Sequence, residues 1–351
     1  MILSAARAFC LDGEAISYER YGEGHINETY LVKTTDGRAY ILQKINQFVF
    51  QNIPALMQNI SAVTRHLAKK SSDIHHLLTL VPTLQDQDFY RDAQKDYWRV
   101  YRYIPDSVCL QKAESTEDFY QSAVAFGSFQ NMLADFPAET LFETIPQFHD
   151  TPNRYANLHK AIEADVCGRA KDVQAEIDFA LAREAEAPIM VDMLGAGELP
   201  LRVTHNDTKL NNVMLDAKTR KALCVIDLET VMPGLAGNDF GDSIRFGANT
   251  AVEDETDLSK VQLSMELYRA YVDGFLGACG KRLTPLEKET LPLAAKLMTL
   301  ECGVRFLTDY LSGDVYFNIS REGHNLDRSR TQFKLVADME KKWQQMCECI
   351  G

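Results

Sequence analysis

The chain has 351 residues, of which 46% are hydrophobic and 25% charged, and a formal net charge of −13. That length is too great for one small core and suits two lobes around a cleft, and the composition is that of a globular protein, not a disordered, collagen-like or coiled-coil one. The acidity excludes a general phosphate-backbone binder, which needs a basic face, but not a nucleotide site made of backbone N–H groups, a magnesium ion and a few local lysines. Eight cysteines, at 10, 109, 167, 224, 279, 302, 347 and 349, show no C-x-x-C spacing, so reduced thiols are expected, without a zinc or redox site. The start, Met1 to Arg7, has no targeting pattern, and no stretch of about eighteen apolar residues occurs. A cytoplasmic protein with neither membrane nor nucleic-acid partners is the expectation.

From Ile16 to Asn46 the pattern is strand, glycine turn, strand, polar turn, strand, an antiparallel meander with turns at Gly22 to Asn27 and at Asp36-Gly37. Ile53, Leu56, Met57, Ile60, Val63 and Leu67 then share one face of a helix begun near Pro54. A short strand pair is expected around Asp86 to Asp88. Trp98 to Ile104 alternates as a half-buried strand and stops at Pro105, which cannot continue the ladder. The lobe boundary is placed there, with residues 1–104 before it and 105–351 after.

Beyond it the spacing turns mostly helical, over Phe119 to Phe136, Ala156 to Arg183, Leu258 to Leu276, Pro285 to Tyr310 and Thr331 to Cys347. Two β-like stretches interrupt this, Val213 to Leu215 and Ala222 to Ile226, joined by the polar turn Asp216 to Arg220. They read as a hairpin with a loop at each end. Glu184 to Pro188 is a weak linker, and there is no internal repeat.

The loop before that hairpin, His205-Asn206-Asp207-Thr208-Lys209-Leu210-Asn211-Asn212, follows a strand-like lead. Its order of His, Asp and Asn is that of the kinase catalytic loop H-R-D-L-x-x-x-N. Phosphoryl transfer needs a carboxylate to orient the attacking hydroxyl and accept its proton, and a neutral oxygen donor nearby to hold magnesium. Asp207 and Asn212 suit these roles, and Lys209 could neutralise charge developing on the transferred group. The hairpin then ends in Val225-Ile226-Asp227-Leu228-Glu229, returning Asp227 to the same loop as a second magnesium ligand. Singly, Asp207 and Asn212 would read as turn or cap residues; the joint pattern points to catalysis. His205 reads as architectural. In Pro233 to Arg245, Asp239 reads as support for the loop, and Asp242 divides between contact with substrate and the cap of a following helix.

A two-glycine turn between the first strands, Gly22-Glu23-Gly24-His25-Ile26-Asn27, can cover the β- and γ-phosphates of a nucleotide with backbone N–H groups, with His25 or Asn27 helping. The third strand should offer a lysine to the α- and β-phosphates. Its alternation allows either Gln43 or Lys44 to face the cleft, and Lys44 is the candidate.

At the catalytic loop and Asp227 the chain resembles the aminoglycoside phosphotransferase and choline kinase group over its whole length. That resemblance implies an α+β, bilobal protein-kinase-like fold, with a small antiparallel-sheet N-terminal lobe and a larger, mainly α-helical C-terminal lobe. It also implies ATP as co-substrate and Mg2+ as cofactor. Segments Tyr21 to Asn27, Trp98 to Tyr101, Phe148 to Pro152, Val203 to Asn212 and Phe240 to Ala248 are more specifically similar to kinases that phosphorylate an N-acetylhexosamine at its anomeric hydroxyl. This likeness would place Tyr101 with the nucleotide-side residues and direct Asp207 at O1 of the sugar. The region from Glu301 to Phe317 shares it, which implies a sugar pocket with Arg305 gripping oxygens and Tyr316 stacking on the ring, although an Arg on such a helix is also commonly a structural ion pair. Choline, homoserine and aminoglycoside kinases are rivals within the same fold, and a catalytically inactive nucleotide-binding scaffold is the rival outside it.

Overall fold

The computed structural model describes residues 1–22, 26–71 and 77–351. A short helix, α1 (Ile2–Ala6), precedes the expected meander of β1 (Ala15–Arg20), β2 (Glu28–Thr34) and β3 (Ala39–Lys44), each antiparallel to the next. The β2–β3 turn depends on Gly37, whose φ of 81° suits a residue without Cβ. α2 (Ile53–Ala68) begins where Asn52 accepts from the Ala55 N–H at 3.1 Å and Pro54 occupies the first turn. Two-residue strands β4 (Leu80–Val81) and β5 (Tyr90–Arg91) flank the Asp86–Asp88 turn, but they do not pair with each other. β6 (Tyr97–Arg102) gives one edge to β3 and the other to both, β4 at Val100 and Tyr101 and β5 at Tyr97 and Trp98.

Past Pro105 the pairing changes partner. β7 (Ser107–Val108) leads to helices α3 (Thr116–Met132), α4 (Thr151–Ala164), α5 (Gln174–Leu181) and α6 (Ile189–Gly195), then β8 (Arg202–Thr204), β9 (Val213–Asp216), β10 (Ala222–Val225) and β11 (Met232–Gly234). β9 and β10 are the expected hairpin; β7 adds to it on β9, and β8 pairs with β11. The rest is helical: α7 (Ala236–Gly247), α8 (Met265–Cys279), α9 (Pro285–Glu289), α10 (Leu291–Leu311), α11 (His324–Lys341) and α12 (Trp343–Glu348).

The expected helical runs are cut shorter, most clearly in three places. The run 156–183 breaks into α4 and α5 because Asp165 ends α4 in the left-handed region (φ 33°) and Gly168 follows at φ 66°. The run 285–310 divides at Thr290, since Pro292 in the first turn of α10 has no N–H to continue α9. α8 starts only at Met265, where Ser264 caps it.

The two faces of the N-terminal sheet pack against different things. Tyr40, Leu42, Trp98 and Val100 face α1 and Phe9. Ile45 and Tyr101 face α2 and, in the same apolar cluster, Leu210, Val213 and Leu228 from the helical part. Two further cores lie within the helical part. There α7 lies tight on α10: a Cβ at Gly241 would stand 2.6 Å from the Ala294 carbonyl oxygen.

Candidate active site

The loop after β8 turns sharply at Asn206, whose φ of 64° is one that Asn tolerates better than most residues. Its side chain donates to the Thr230 carbonyl at 2.9 Å. His205 is fully buried between the edges of Phe126 and Phe129. Its Nδ1 accepts the Asp207 N–H at 3.3 Å, so Nε2 carries the proton and donates to the Ile226 carbonyl at 2.8 Å. His205 therefore ties the catalytic loop to the end of β10.

Asp207, its side chain 30% exposed, meets Lys209 Nζ at 2.8 Å through Oδ1. Asn212 Nδ2 donates to its Oδ2 at 3.0 Å and its carbonyl at 2.8 Å. Burial would lower the Lys209 ammonium, but Asp207 and then Asp242 outweigh it and raise it to about 12. The Ile226 N–H donates to the Asn212 carbonyl at 2.9 Å, which brings Asp227 to the same place. Asp227 adopts φ 63°, ψ 57° and is open to solvent although closely surrounded, as on a cleft floor. That crowding, followed by Glu229 and Asp207, raises its carboxyl well above the usual range. Asp207, Lys209, Asn212 and Asp227 are thus brought together as the spacing implied.

Behind them α7 holds the loop. Asp239, wholly buried, accepts from the N–H groups of His205 (3.0 Å) and Asn206 (2.8 Å) and from Gln130 (2.7 Å). Burial raises its carboxyl against the pull of those donors. Asp242 lies inside α7, not at its cap. It accepts the Thr208 N–H at 2.9 Å and Arg245 Nη2 at 2.8 Å, and Arg245 also meets Glu253 at 2.8 Å. Burial alone would raise Asp242, but Arg245, Lys209 and His149 hold it low. With its carboxylate engaged by the loop and by Arg245, Asp242 acts as a brace, and of the two roles expected for it the helix cap is excluded by its place inside α7.

On the nucleotide side the picture differs from expectation. Gly22 opens the turn at φ 74°, while Gly24 and His25 lie outside the described residues. Asn27 reaches across to Glu229, donating from Nδ2 at 2.5 Å, and its Oδ1 accepts the Asn46 N–H. Lys44 points to the outer face, ion-paired with Asp96 at 2.6 Å beside the Trp98 ring. Gln43 takes the inward position and accepts from Arg99 Nε and Nη2 at 2.9 and 2.8 Å. Arg99 also pairs with Glu229. Tyr101 is buried in the core beneath Arg99, not lining an open nucleotide surface.

Arg305 lies half-buried between the rings of Phe148 and Phe317, at 5.4 and 5.5 Å, with no ion pair among the described residues. Glu301 accepts from Thr151 Oγ1 at 2.8 Å and meets His149 Nδ1 at 3.1 Å. Asp309 accepts the N–H groups of Val315, Tyr316 and Phe317 and so holds out Tyr316, 68% exposed. Sequence reasoning assigned no role to Arg99, Glu229, His149 or Glu301. An acidic residue two after Asp227 was the visible signal for Glu229; nothing local marked the others.

A small antiparallel sheet over a helical part, with Asp, Lys and Asn on one loop and a second Asp at a neighbouring strand end, defines a kinase-like phosphotransferase. A family model described as the phosphotransferase enzyme family (APH) matches residues 17–277. The chain belongs to that family. Its structure is similar to an aminoglycoside phosphotransferase from Alicyclobacillus acidocaldarius (15% identity, TM-score 0.67, covering 98% of this chain and 95% of that one). It is also similar to a choline kinase from Cryptosporidium parvum (14%, 0.56, 94% and 90%). A third likeness is to an amicoumacin kinase in complex with AMP-PNP and Ca2+ (14%, 0.59, 95% and 92%). At these identities the likeness establishes the fold.

Proposed function

We propose that this chain is an ATP- and Mg2+-dependent kinase that phosphorylates the anomeric hydroxyl of an N-acetylhexosamine, N-acetylglucosamine or N-acetylgalactosamine, to the sugar 1-phosphate. The observation that carries the phosphoryl-transfer reading is the convergence of Asp207, Lys209, Asn212 and Asp227 on one cleft floor. Asp207, partly exposed and fixed by two neighbours, orients the acceptor hydroxyl and takes its proton. The hydroxyl oxygen attacks the γ-phosphorus, the bond to the β–γ bridging oxygen breaks, and ADP leaves. Lys209 stays cationic throughout and balances the charge on the group in flight.

Asn212 and Asp227 fit magnesium. Asp227 sits among carboxylates that already disfavour its bare charge, and an amide with one carboxylate is the sparse protein set that Mg2+ accepts when phosphates and waters complete its shell. Among the described residues no cluster of three or more His, Cys, Asp or Glu offers an all-protein metal cage. Bound there, Mg2+ would neutralise charge on the nucleotide phosphates.

The sugar reading is supported by the charge state of the acceptor side. A choline-like or polyamine acceptor needs anionic or aromatic walls without a competing cation, yet Glu301, Asp242 and Asp309 are all spent on partners of their own and a guanidinium stands among the rings. The unspent groups there are the Arg305 guanidinium and the aromatic rings of Phe148, Tyr316 and Phe317, which suit a neutral, oxygen-rich ring. The test is ATP consumption with Mg2+, and with the metal chelated, across N-acetylhexosamines, galactose, choline, homoserine and kanamycin. Metal-dependent turnover of an N-acetylhexosamine is expected; turnover of choline alone, or of nothing, overturns the reading.

A further inference from the structure

The geometry points to Arg99 as the cation that meets the nucleotide's α- and β-phosphates in this chain, in place of a lysine on the central strand. This rests on the phosphoryl-transfer reading above and goes beyond it.

β3 supplies no inward lysine. Lys44 is committed to Asp96 on the outer face, and the inward position next to it is the neutral Gln43. Directly across from Gln43 in the β3–β6 register stands Arg99, so its guanidinium rises from the same inner face, one strand over. Gln43 acts as its bracket. The amide oxygen receives both Nε and Nη2, while the amide nitrogen is anchored on Thr29 Oγ1 at 3.0 Å.

A guanidinium has five N–H donors. In Arg99, Nε and Nη2 are taken by Gln43 and Glu229, whereas Nη1 is buried without a partner. The Tyr101 hydroxyl, on the ring that lies against the guanidinium, is a second buried polar atom without a partner. Unpartnered buried polar atoms are rare singly, and two on neighbouring side chains mark a place made for something polar.

The spot has a definite position. Glu229 Oε1 is shared by Arg99 and by Asn27, the last residue of the glycine turn, and Glu229 is two residues beyond Asp227. Arg99 therefore lies between Asn27 and the carboxylate proposed for the metal, the path proposed for the phosphate chain of ATP. Two free N–H bonds on one nitrogen suit a phosphate oxygen, and an arginine can span the extra strand that a lysine could not. The guanidinium is 1% exposed, so the contact forms as the nucleotide enters and the wall over Nη1 shifts.

The test compares ADP with adenosine, by calorimetric titration of the full chain in Mg2+, for wild type, Arg99→Met and the double variant Arg99→Met/Gln43→Lys. Arg99→Met should weaken ADP roughly ten- to hundredfold while leaving adenosine nearly unchanged. The double variant, which raises a lysine from the inward position of β3, should recover much of the ADP affinity. Equal losses for ADP and adenosine, or no loss for either, would make Arg99 a structural brace and overturn the proposal. Should Arg99→Met fail to fold, Arg99→Lys is read instead: it keeps the charge beside Glu229 but is too short to span the extra strand, so unchanged ADP binding by it overturns the proposal. A wild type that binds neither ligand defeats the kinase reading itself, an outcome distinct from failure of Arg99 alone.

Discussion

Two glycine-to-alanine changes should act in opposite directions. Gly241 on α7 faces α10, and a Cβ there would stand 2.6 Å from both the Ala294 oxygen and Met298 Cγ. Carbon contacts settle near about 3.5 Å, so α7 must lift by the better part of ~1 Å. Overpacking of this kind costs about 1–3 kcal/mol, set against about 1 kcal/mol returned by the helix propensity of alanine. The larger effect is on rate. α7 carries Asp239 and Asp242, whose carboxylates hold the N–H groups of His205, Asn206 and Thr208, so the loop bearing Asp207 shifts with it. A misplacement of ~1 Å can cost on the order of a hundredfold in turnover. Gly277 on α8 is the control: it is exposed, with nothing within 4 Å of its would-be Cβ. Gly277→Ala should stabilise the protein by about 0.5–1 kcal/mol and leave turnover alone. Urea unfolding and steady-state kinetics of both variants test the pair. Equal stability for the two, with kcat unchanged in Gly241→Ala, would refute the idea that α7 is held at contact distance and positions the loop.

Asp207→Asn should lower kcat by about 10²- to 10⁴-fold with nucleotide affinity retained, because the carboxylate is needed only for the acceptor proton; single-turnover kinetics beside a binding titration would show whether the two separate. Arg245→Met should destabilise by about 3–5 kcal/mol, since it leaves the buried Asp242 carboxylate without its counter-charge, and a midpoint shift worth under about 1 kcal/mol would contradict that. Burial pushes the thiols of Cys224 and Cys279 up to about 12 and those of Cys109 and Cys302 up to about 11. A thiolate-selective reagent in mildly alkaline buffer should therefore modify the exposed Cys10, Cys167 and Cys347 in the native protein and the buried Cys224 and Cys279 only after denaturation. Rapid native labelling of Cys224 or Cys279 would contradict the packing around them.

The grouping of the loop residues was legible because it is local: one loop carries Asp207, Lys209 and Asn212, and one hairpin returns Asp227. The meander and α2 were legible for the same reason, their periods being short and their turns marked by Gly37 and Pro54. What escaped depended on partners far along the chain. Alternation could not choose between Gln43 and Lys44, because both faces of β3 are covered, one by α1 and the other by the core shared with α2. The choice is settled by Asp96 on one side and Arg99 on the other. Asp242 looked like a substrate ligand or a cap, and only the fold shows its oxygens occupied by Thr208 and Arg245. Helix breaks at Asp165 and Thr290 were hidden because the apolar spacing runs on through them while the backbone does not.

The apolar cluster that joins Ile45, α2 and Tyr101 to Leu210, Val213 and Leu228 makes the N-terminal sheet a dependent unit. A chain cut after Ile104 would leave the buried face of α2 in water, so the sheet should not survive as a fragment. The same continuity binds heat unfolding into one cooperative transition in place of two, and it limits how far the sheet can part from the helices below it.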